Sequence, residues 1–159
     1  MAYLIDGNNL LGYLSPEKLR DSRSKRLLIS TLSLFQRVKK TKILVVFDGA
    51  PDPDLISKDF RRKTFSVFFP DLEENADQVI KRIIEKQTDL RNFYVVSSDR
   101  EIRAFTKAKR AKSISCKDFS KLLKSSLRTH KKSLEAKKKE IFLSPLEVDH
   151  WLEIFGGEK

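Results

Sequence analysis

The segment Ala2-Tyr3-Leu4-Ile5-Asp6-Gly7-Asn8-Asn9-Leu10-Leu11 opens the chain with a short apolar run that stops at an acid. Residues 3–5 predict a buried central strand, and Gly7 permits a sharp turn directly after it. An acid at the carboxyl end of a buried strand lies where open α/β sheets bind their ligands. Asp followed by Gly is also an ordinary turn pair, so the role of Asp6 depends on where the other strands end.

Later apolar runs predict further strands of the same sheet. Asp48 follows the first of these runs, and Asp99 comes shortly after the third. Runs that stay apolar at every position are typical of strands buried on both faces, which favours a mostly parallel sheet. The predicted strands are Lys42 to Asp48, with its apolar run at 43–47, residues 64–69, residues 93–97, and a short fifth strand at 112–115.

Apolar residues at helical spacing between these runs predict the helices. Asn75 with Gln78, and Ser98 with Glu101, match the capping-box pattern at two helix starts. The order β-α-β-β-α-β-α-β-α predicts an α/β fold of three layers, α-β-α, around a mostly parallel five-stranded sheet. The predicted helices span residues 22–39, 75–86 and 99–110, and another starts at Lys117 or Asp118 and runs through Leu127, with a further helix start at Ser15-Pro16-Glu17.

The composition changes in the last part of the chain. Residues 121–140 carry many lysines and few acids, which predicts a basic connector that is helical or mobile. Residues 143–155 place Trp151 on an apolar helical stripe. We predict a folded domain at residues 1–127 and a basic C-terminal helical extension at 128–159. The Trp151 stripe either folds back on its own domain or docks on another protein or a second copy of the chain.

The charge of the chain favours a polyanionic partner over a membrane. The 159 residues carry a net charge of +11, with a pI near 9.8, which fits nucleic acid better than an anionic lipid surface. No apolar run approaches the ~20 residues of a membrane span, and the opening run is too short for a signal peptide. Cys116 is the single cysteine, which excludes an intrachain disulfide and favours a cytoplasmic location. One cysteine and two histidines also exclude a structural zinc site and favour a hard metal bound through oxygen.

Acids that follow predicted strands or open predicted helices form the candidate site: Asp6, Asp48, Asp77 and Asp99. Clustered carboxylates repel one another unless a cation lies between them. Mg²⁺ or Mn²⁺ is the expected cation, because such an ion takes one or two carboxylates and keeps its waters. It would activate water and stabilise the leaving oxygen of a phosphodiester. Each acid alone also fits a turn or a helix cap, so the joint pattern carries the prediction.

Missing motifs exclude several other enzyme classes. The chain has five glycines and neither a G-x-G-x-x-G nor a Walker loop, which excludes dinucleotide and P-loop sites. His130 and His150 both lie in the C-terminal part, so no Ser-His-Asp arrangement is expected. A phosphoacceptor receiver domain needs an acidic pair after the first strand and an Asp after the third. Asp6-Gly7 and Phe69-Pro70 occupy those positions instead.

Three short motifs lie at the ends of predicted strands and one lies at a helix start: Tyr-Leu-Ile-Asp-Gly-Asn-Asn at 3–9, Val-Val-Phe-Asp-Gly at 45–49 and Val-Val-Ser-Ser-Asp-Arg at 95–100, with Glu-Asn-Ala-Asp at 74–77. In order and spacing they resemble the YacP-like NYN domains of the PIN-like nuclease superfamily, over about residues 1–124. The resemblance implies a PIN-like parallel sheet with strand order 3-2-1-4-5 and a metal-dependent endoribonuclease site. Asn8 and Asn75 depart from the family, which often has an aromatic residue and Thr at these positions.

The resemblance also implies roles for single residues. By position, the core metal carboxylates of the catalytic site are Asp6, Asp77 and Asp99, and the supporting residues are Asp48, Asn9 and Glu74. We count Asp48 as a further metal ligand. Ser97 and Ser98 are candidates for bonding the metal shell or a phosphate, with helix capping as the alternative for Ser98. The predicted nucleic-acid contacts are Arg61, Arg62, Lys63, Arg100, Lys131 and Lys132.

The sequence therefore predicts a Mg²⁺- or Mn²⁺-dependent endoribonuclease that acts in RNA processing or decay. Its expected partner is RNA that is single-stranded or associated with the ribosome, and no membrane partner is expected. The alternative is a non-catalytic RNA-binding module that docks on ribosomal or other structured RNA. The acids argue against this alternative, since RNA binding alone gains nothing from clustered negative charge.

Overall fold

The computed structural model describes residues 1–15, 22–53, 61–137, 151, 152 and 154, without the side chains of 22, 61, 62 and 134–137. The strands are β1 (Ala2–Asp6), β2 (Lys42–Val46), β3 (Arg61–Arg62), β4 (Phe65–Phe68), β5 (Phe93–Val96) and β6 (Lys112–Ile114). The helices are α1 (Gly7–Leu14), α2 (Ser22–Lys39), α3 (Ala76–Glu85), α4 (Arg100–Ala108) and α5 (Cys116–Lys137). Within this part of the chain, no helix has the length and apolar character needed to cross a membrane.

The strands form a six-stranded sheet in the order β3-β4-β2-β1-β5-β6. Every neighbouring pair is parallel except β3 with β4. The parallel part has the predicted order 3-2-1-4-5, which confirms the α/β class and the strand order. The antiparallel β3 is not predicted from the sequence, because two arginines provide no apolar run.

β1 lies between β2 and β5, which accounts for its uninterrupted apolar residues. Leu4 and Ile5 are fully buried. Asp6 is level with Val46 of β2, and Ile5 is level with Val96 of β5. The carboxyl ends of the three strands therefore coincide, and the residues that follow them meet at one edge of the sheet.

The predicted capping box begins α3. Asn75 Oδ1 accepts a hydrogen bond from the Gln78 N–H at 2.9 Å, and Gln78 Oε1 accepts one from the Asn75 N–H at 2.8 Å. Val79 and Ile80 lie on the buried face of the helix, in a core that includes residues of β1, β2 and β5. This cap fixes Asp77 in the first turn of α3.

The predicted cap of α4 is wrong by one residue. Asp99, rather than Ser98, is the N-cap, and its Oδ1 accepts a hydrogen bond from the Ile102 N–H at 3.1 Å. Glu101 forms no capping box with Ser98, and its carboxylate is paired with Lys81 of α3. Serine and aspartate are about equally good N-caps, so their adjacency leaves the helix start undetermined at the level of sequence.

α1 begins directly after β1, where the sequence predicts only a turn at Gly7. Gly7 is the first residue of this helix and has no positive φ. A Cβ at this position would lie 2.7 Å and 2.8 Å from two ring carbons of Phe47 and 3.0 Å from the Val46 carbonyl oxygen. Close approach to the end of β2, and not a turn, is therefore the reason for glycine here.

The chain divides into two compact units. The first, Met1–Leu10 with Thr41–Cys116, contains the sheet, α3 and α4. The second, Leu11–Lys40 with Lys117–Lys159, contains α2 and nearly all of α5. Within the second unit Phe35 and Phe119 meet edge to face, with ring centroids 5.4 Å apart.

The C-terminal part differs from prediction in the length of α5. This helix runs to Lys137, past the predicted end at Leu127, so the predicted boundary between residues 127 and 128 falls inside it. The predicted helix at 143–155 lies outside the described residues except for 151, 152 and 154, which are helical. The predicted start at Ser15-Pro16-Glu17 also lies outside them beyond Ser15.

Candidate active site

The acids predicted from the sequence gather at the carboxyl edge of the sheet. Asp6 is the last residue of β1, and Asp48 and Asp99 follow the ends of β2 and β5. Asp77 comes from the first turn of α3, and its carboxylate lies within electrostatic range of Asp99 and Asp48. Asp6 is within the same range of Asp77 and Asp99. The fold of the first unit thus brings all four acids into one neighbourhood.

Asp6 is the most buried of these acids, with 6% of its surface exposed. Its Oδ2 accepts a hydrogen bond from Ser97 Oγ at 3.1 Å, and its carboxylate accepts another from the Asn9 backbone N–H. Burial raises the pKa of Asp6 to about 6, opposed by these hydrogen bonds and aided by the charges of Asp77 and Asp99. Ionised Asp6 is therefore costly unless a positive charge accompanies it.

Ser97, one of the two serines that the sequence suggests as candidates at the site, links two of the acids. The Ser97 side chain is fully buried. Its Oγ donates to Asp6 Oδ2 and accepts from the Asp99 backbone N–H at 3.1 Å. Ser97 is the last residue of the predicted strand 93–97, which pairs with β1, and this position brings its hydroxyl group to Asp6.

Asp77 is less buried than Asp6 and lies close to other charges. Burial raises its pKa, and the carboxylates of Asp99 and Glu101 raise the pKa further. Lys81, one turn along α3, lowers the pKa of Asp77, while its ammonium group is bound to Glu101 of α4. A cation already lies at the rim of the cluster, but it is paired with an acid of its own.

Asn8 and Asn9 connect the first turn of α1 to the ends of the two neighbouring strands. Asn8 Oδ1 accepts a hydrogen bond from the Asp48 backbone N–H at 2.7 Å. Asn9 Oδ1 accepts one from the Ser98 backbone N–H at 2.8 Å and is 3.0 Å from the Cys116 Sγ donor. These side-chain oxygens hold the backbone on either side of Asp6, so Asn8 has a positioning role alongside Asn9, which alone was predicted as a supporting residue of the site.

Ser98 and Glu74 take part in structural contacts of their own. Ser98 Oγ accepts a hydrogen bond from the Cys116 backbone N–H at 3.1 Å. Glu74 is bound to both terminal nitrogens of Arg82, at 2.5 Å and 3.0 Å, and this pairing lowers the pKa of Glu74. Glu74 also lines a cavity of about 350 Å³ together with Asp48, while Asp6, Asp77 and Asp99 do not line it. Glu74 thus shares this cavity with Asp48 and not with the other three acids of the candidate site.

The predicted nucleic-acid contacts are distributed over both units. Lys63 and Arg100 are exposed in the first unit, and Arg100 directly follows Asp99 at the start of α4. Lys132 is exposed and Lys131 is half-buried on α5. The side chains of Arg61 and Arg62 lie outside the described residues.

The profile of the YacP-like NYN domain family matches residues 3–153 of the sequence. The chain belongs to this family. Membership places it among the PIN-like nucleases. The match continues past residue 124, where the resemblance recognised in the sequence ends.

Solved structures show the same fold. The crystal structure of the W164L mutant of Rae1 (YacP) from Bacillus subtilis has a TM-score of 0.69 and 17% identity, covering 97% of this chain and 91% of that chain. A crystal structure of Rae1 (YacP) from Bacillus subtilis has a TM-score of 0.69 and 19% identity, covering 86% of this chain and 80% of that chain. At such low identity this likeness concerns the fold alone. No curated protein matches the sequence.

NYN and PIN-like nucleases generally depend on divalent metals, so the fit of the acids to such an ion can be tested. Mg²⁺ and Mn²⁺ prefer oxygen ligands, and carboxylate oxygens lie at this edge of the sheet. The raised pKa values of Asp6 and Asp77 show that the described side chains supply too little positive charge to offset burial at this site. The side chains do not form a complete ligand set, because no three acidic, Cys or His side chains among the described residues stand close enough to hold a metal. An ion that takes one or two carboxylates and keeps its waters fits this arrangement.

Proposed function

We propose that the chain is a Mg²⁺- or Mn²⁺-dependent endoribonuclease that hydrolyses RNA phosphodiester bonds in RNA processing or decay. The observation that carries this proposal is the state of Asp6. It is a buried carboxylate whose pKa is raised to about 6, and Asp77 and Asp99 lie within electrostatic range. A fold gains no stability from such an arrangement, whereas a PIN-like nuclease uses it to hold a cation.

In this proposal one or two of the carboxylates of Asp6, Asp77 and Asp99 would bind the divalent ion directly, with its waters bridging to the rest, and Asp48 is a further candidate ligand. The ion would supply positive charge against the phosphodiester and lower the pKa of water. Ser97 keeps the Asp6 carboxylate in place through its Oγ. Arg100, exposed beside Asp99, is positioned to contact a phosphate of the substrate.

RNA is the proposed substrate because the net charge of +11 favours a polyanion. The proposed RNA is single-stranded or associated with the ribosome, and the cytoplasm is the proposed location. The association with the ribosome is inferred from the sustained basic composition of residues 121–139, and the location is inferred from the single cysteine.

The test is cleavage of end-labelled single-stranded RNA and DNA with Mg²⁺ or Mn²⁺ by the wild type and by Asp77→Asn. Glu85→Gln is the matched control, because it removes an exposed acid from the last turn of the same helix. We expect wild type and Glu85→Gln to cut RNA equally, and Asp77→Asn to bind RNA without cutting it. Equal cutting by Asp77→Asn would assign the activity to another site or to a contaminant.

A non-catalytic RNA-binding module is the second candidate. It is favoured by one observation, the lack of three metal-competent side chains close together among the described residues. If the wild type binds RNA and cuts nothing with either metal, this candidate replaces the nuclease. Thermal stability adds a second readout, since Mn²⁺ should raise the Tm of the wild type and of Glu85→Gln but not that of Asp77→Asn.

A further inference from the structure

The amino-terminal edge of the sheet, opposite the acids, carries a row of exposed basic residues. Ala2 of β1 is level with Lys42 of β2 and with Phe93 of β5, and Tyr94 of β5 is level with Lys112 of β6. The strand starts and the loops before them therefore share one edge of the first unit. The amino-edge surface is defined by its five exposed basic residues, which are Lys42, Arg91, Lys109, Arg110 and Lys112.

A single acid accompanies these residues in the loops that lead into β5 and β6. Asp89 accepts hydrogen bonds from the Arg91 backbone N–H at 3.0 Å and from Arg91 Nε at 3.2 Å. The same loops enclose an open cavity of about 380 Å³, which is lined by Arg91, Lys109 and Arg110 together with Asp89 and two uncharged residues. The Asp89–Arg91 pair carries no net charge, so Lys109 and Arg110 give the lining of this cavity a net positive charge.

The backbone at Arg110 is unusual for an arginine. Its φ is +65°, just after the C-cap Lys109 of α4. Glycine is the usual residue at such a left-handed position after a helix, because a Cβ carries a conformational cost there. The helix dipole favours a cation near the C-terminus, but Lys109 already supplies one. An arginine is thus present where glycine would be less strained.

Aromatic rings restrain two of the lysines. Lys109 Nζ lies 5.6 Å from the ring centroid of Phe105, and Lys112 Nζ lies 5.1 Å from that of Tyr94. Cation–π contact limits the freedom of an exposed ammonium group. A lysine that is ordered beforehand loses less entropy when it binds a phosphate.

We propose that the amino-edge surface is a second RNA-contacting surface, which binds the phosphate backbone away from the acidic site. β5 has four residues, and at about 3.3 Å per residue the two edges are separated by about 13 Å. A single RNA would contact both edges only if it passes around the unit or folds back on itself. The inference takes RNA as the ligand from the proposed function, and it needs no cleavage.

The test measures the affinity of the full chain for fluorescent single-stranded RNA in EDTA, over a range of salt concentrations. Arg110→Gly removes the charge and relieves the positive φ, so its Tm should rise. Each phosphate contact on a single strand contributes about 0.7 to the slope of log K against log salt. Arg110→Gly should therefore lower the slope by about 0.7 and weaken binding about fivefold at about 0.1 M salt.

The control and the opposing outcomes are specific. Arg23→Gln removes one positive charge from an exposed position of α2, outside the amino-edge surface, and should leave the slope unchanged. Unchanged affinity and slope in Arg110→Gly would overturn the proposal, as would an equal loss in Arg23→Gln. If Arg110→Gly loses binding to phosphatidylserine vesicles but still binds RNA normally, the surface binds membranes and not RNA, and the proposal is overturned. If the wild type cuts RNA and Arg110→Gly binds RNA as tightly as the wild type, this inference is refuted and the nuclease proposal stands. If RNA binding depends on Arg110 but the wild type cuts no RNA, the nuclease proposal is refuted and this inference stands.

Discussion

At the scale of single residues, the buried carboxylate of Asp6 lowers the free energy of unfolding when it is ionised. The ordinary pKa of aspartate is near 3.8, and burial raises that of Asp6 to about 6. Between these two values the folded chain holds the proton that the unfolded chain has released, so stability falls as pH rises through this window. The cost is fully present above about pH 6 and absent below about pH 4.

Asp6→Asn should therefore stabilise the protein at neutral pH. A pKa difference of about 2 units corresponds to about 3 kcal/mol at pH 7.5 and to almost nothing at pH 4. The amide keeps an oxygen that accepts from Ser97 and removes the charge near Asp77 and Asp99. Urea unfolding in EDTA at both pH values measures the difference, and cleavage of RNA by this variant should be lost.

Asp99→Asn is the matched comparison for that experiment. Its Oδ1 caps α4 through the Ile102 N–H, and asparagine caps about as well as aspartate. Its stability should change by less than about 0.5 kcal/mol at either pH. A gain in Asp6→Asn that is equal at pH 4 and pH 7.5 would contradict the assignment of its effect to a buried charge.

Gly7 is constrained by space. Alanine at this position would bring a Cβ within 2.8 Å of the Phe47 ring and 3.0 Å of the Val46 carbonyl oxygen. Phe47 is fully buried and cannot move aside freely. Gly7→Ala should cost about 1–3 kcal/mol of unfolding free energy, as overpacking does elsewhere, and urea unfolding measures the cost.

Gly49 provides the control because its constraint is different. It has a φ of +88°, and a Cβ there would meet nothing within 4 Å. Gly49→Ala should cost about 1–2 kcal/mol through backbone strain alone. In a Phe47→Leu background the cost of Gly7→Ala should shrink, while that of Gly49→Ala should stay the same. Equal, additive costs at both glycines would show that the Phe47 ring is not the obstacle.

At the scale of elements, the first turn of α1 fixes the two strand ends that flank Asp6. Asn8 accepts from the backbone after β2, and Asn9 accepts from the backbone after β5. Hydrogen bonds of this kind are worth about 1 kcal/mol each. Their larger effect concerns position, since they hold the chain that leads to Asp48 and to Asp99.

Asn9→Ala should lower the free energy of unfolding only slightly but reduce the rate of RNA cleavage strongly. Loss of the acceptor for the Ser98 N–H frees the segment that carries Asp99 and should cost about 1 kcal/mol. Asn8→Ala removes one similar bond, next to the more exposed Asp48, and should have a similar cost in stability with a smaller loss of activity. The measurements are kcat and the free energy of unfolding for both variants, so that the losses of activity can be compared at a similar loss of stability. Equal activity losses would show that the two strand ends matter alike.

Sequence patterns predicted those elements whose signals are local. The apolar runs gave the parallel strands, and Asn75 with Gln78 gave the start of α3. Two adjacent cap residues of similar strength, Ser98 and Asp99, left the start of α4 ambiguous. The sequence did not predict α1 because glycine after a strand usually indicates a turn. The actual constraint on Gly7 is its close approach to the ring of Phe47, 40 positions away in sequence.

The candidate site was predictable in its acids and less so in the groups that support them. Each acid ends a strand or opens a helix, so parallel topology alone brings Asp6, Asp48 and Asp99 to one edge. The hydrogen bond from Ser97 to Asp6 joins residues 91 positions apart, and no local pattern reports it. The pairing of Glu74 with Arg82 likewise depends on how α3 presents one side chain to the loop before it.

At the scale of the whole molecule, the acidic site belongs to a chain with a net charge of +11. The cluster repels a polyanion locally, while the remaining surface attracts it over longer distances. In the proposed nuclease, capture of RNA and the chemical step would therefore depend on charges of opposite sign in different places. Salt weakens exposed long-range interactions more than interactions inside a partly buried site.

Salt should consequently lower kcat/KM for RNA cleavage much more than kcat. If about five phosphates are contacted, kcat/KM should fall by about 100-fold between about 50 and 200 mM KCl. Lys132→Gln, at an exposed position of α5, should reduce the slope by about 0.7 and leave kcat unchanged, because it removes one phosphate contact and no proposed ligand of the divalent ion. Steady-state kinetics at constant Mg²⁺ measure both parameters. A parallel fall of kcat and kcat/KM would mean that salt acts on the acidic site itself, for example by weakening the hold on the divalent ion, and that capture of RNA is not limited by the basic surface.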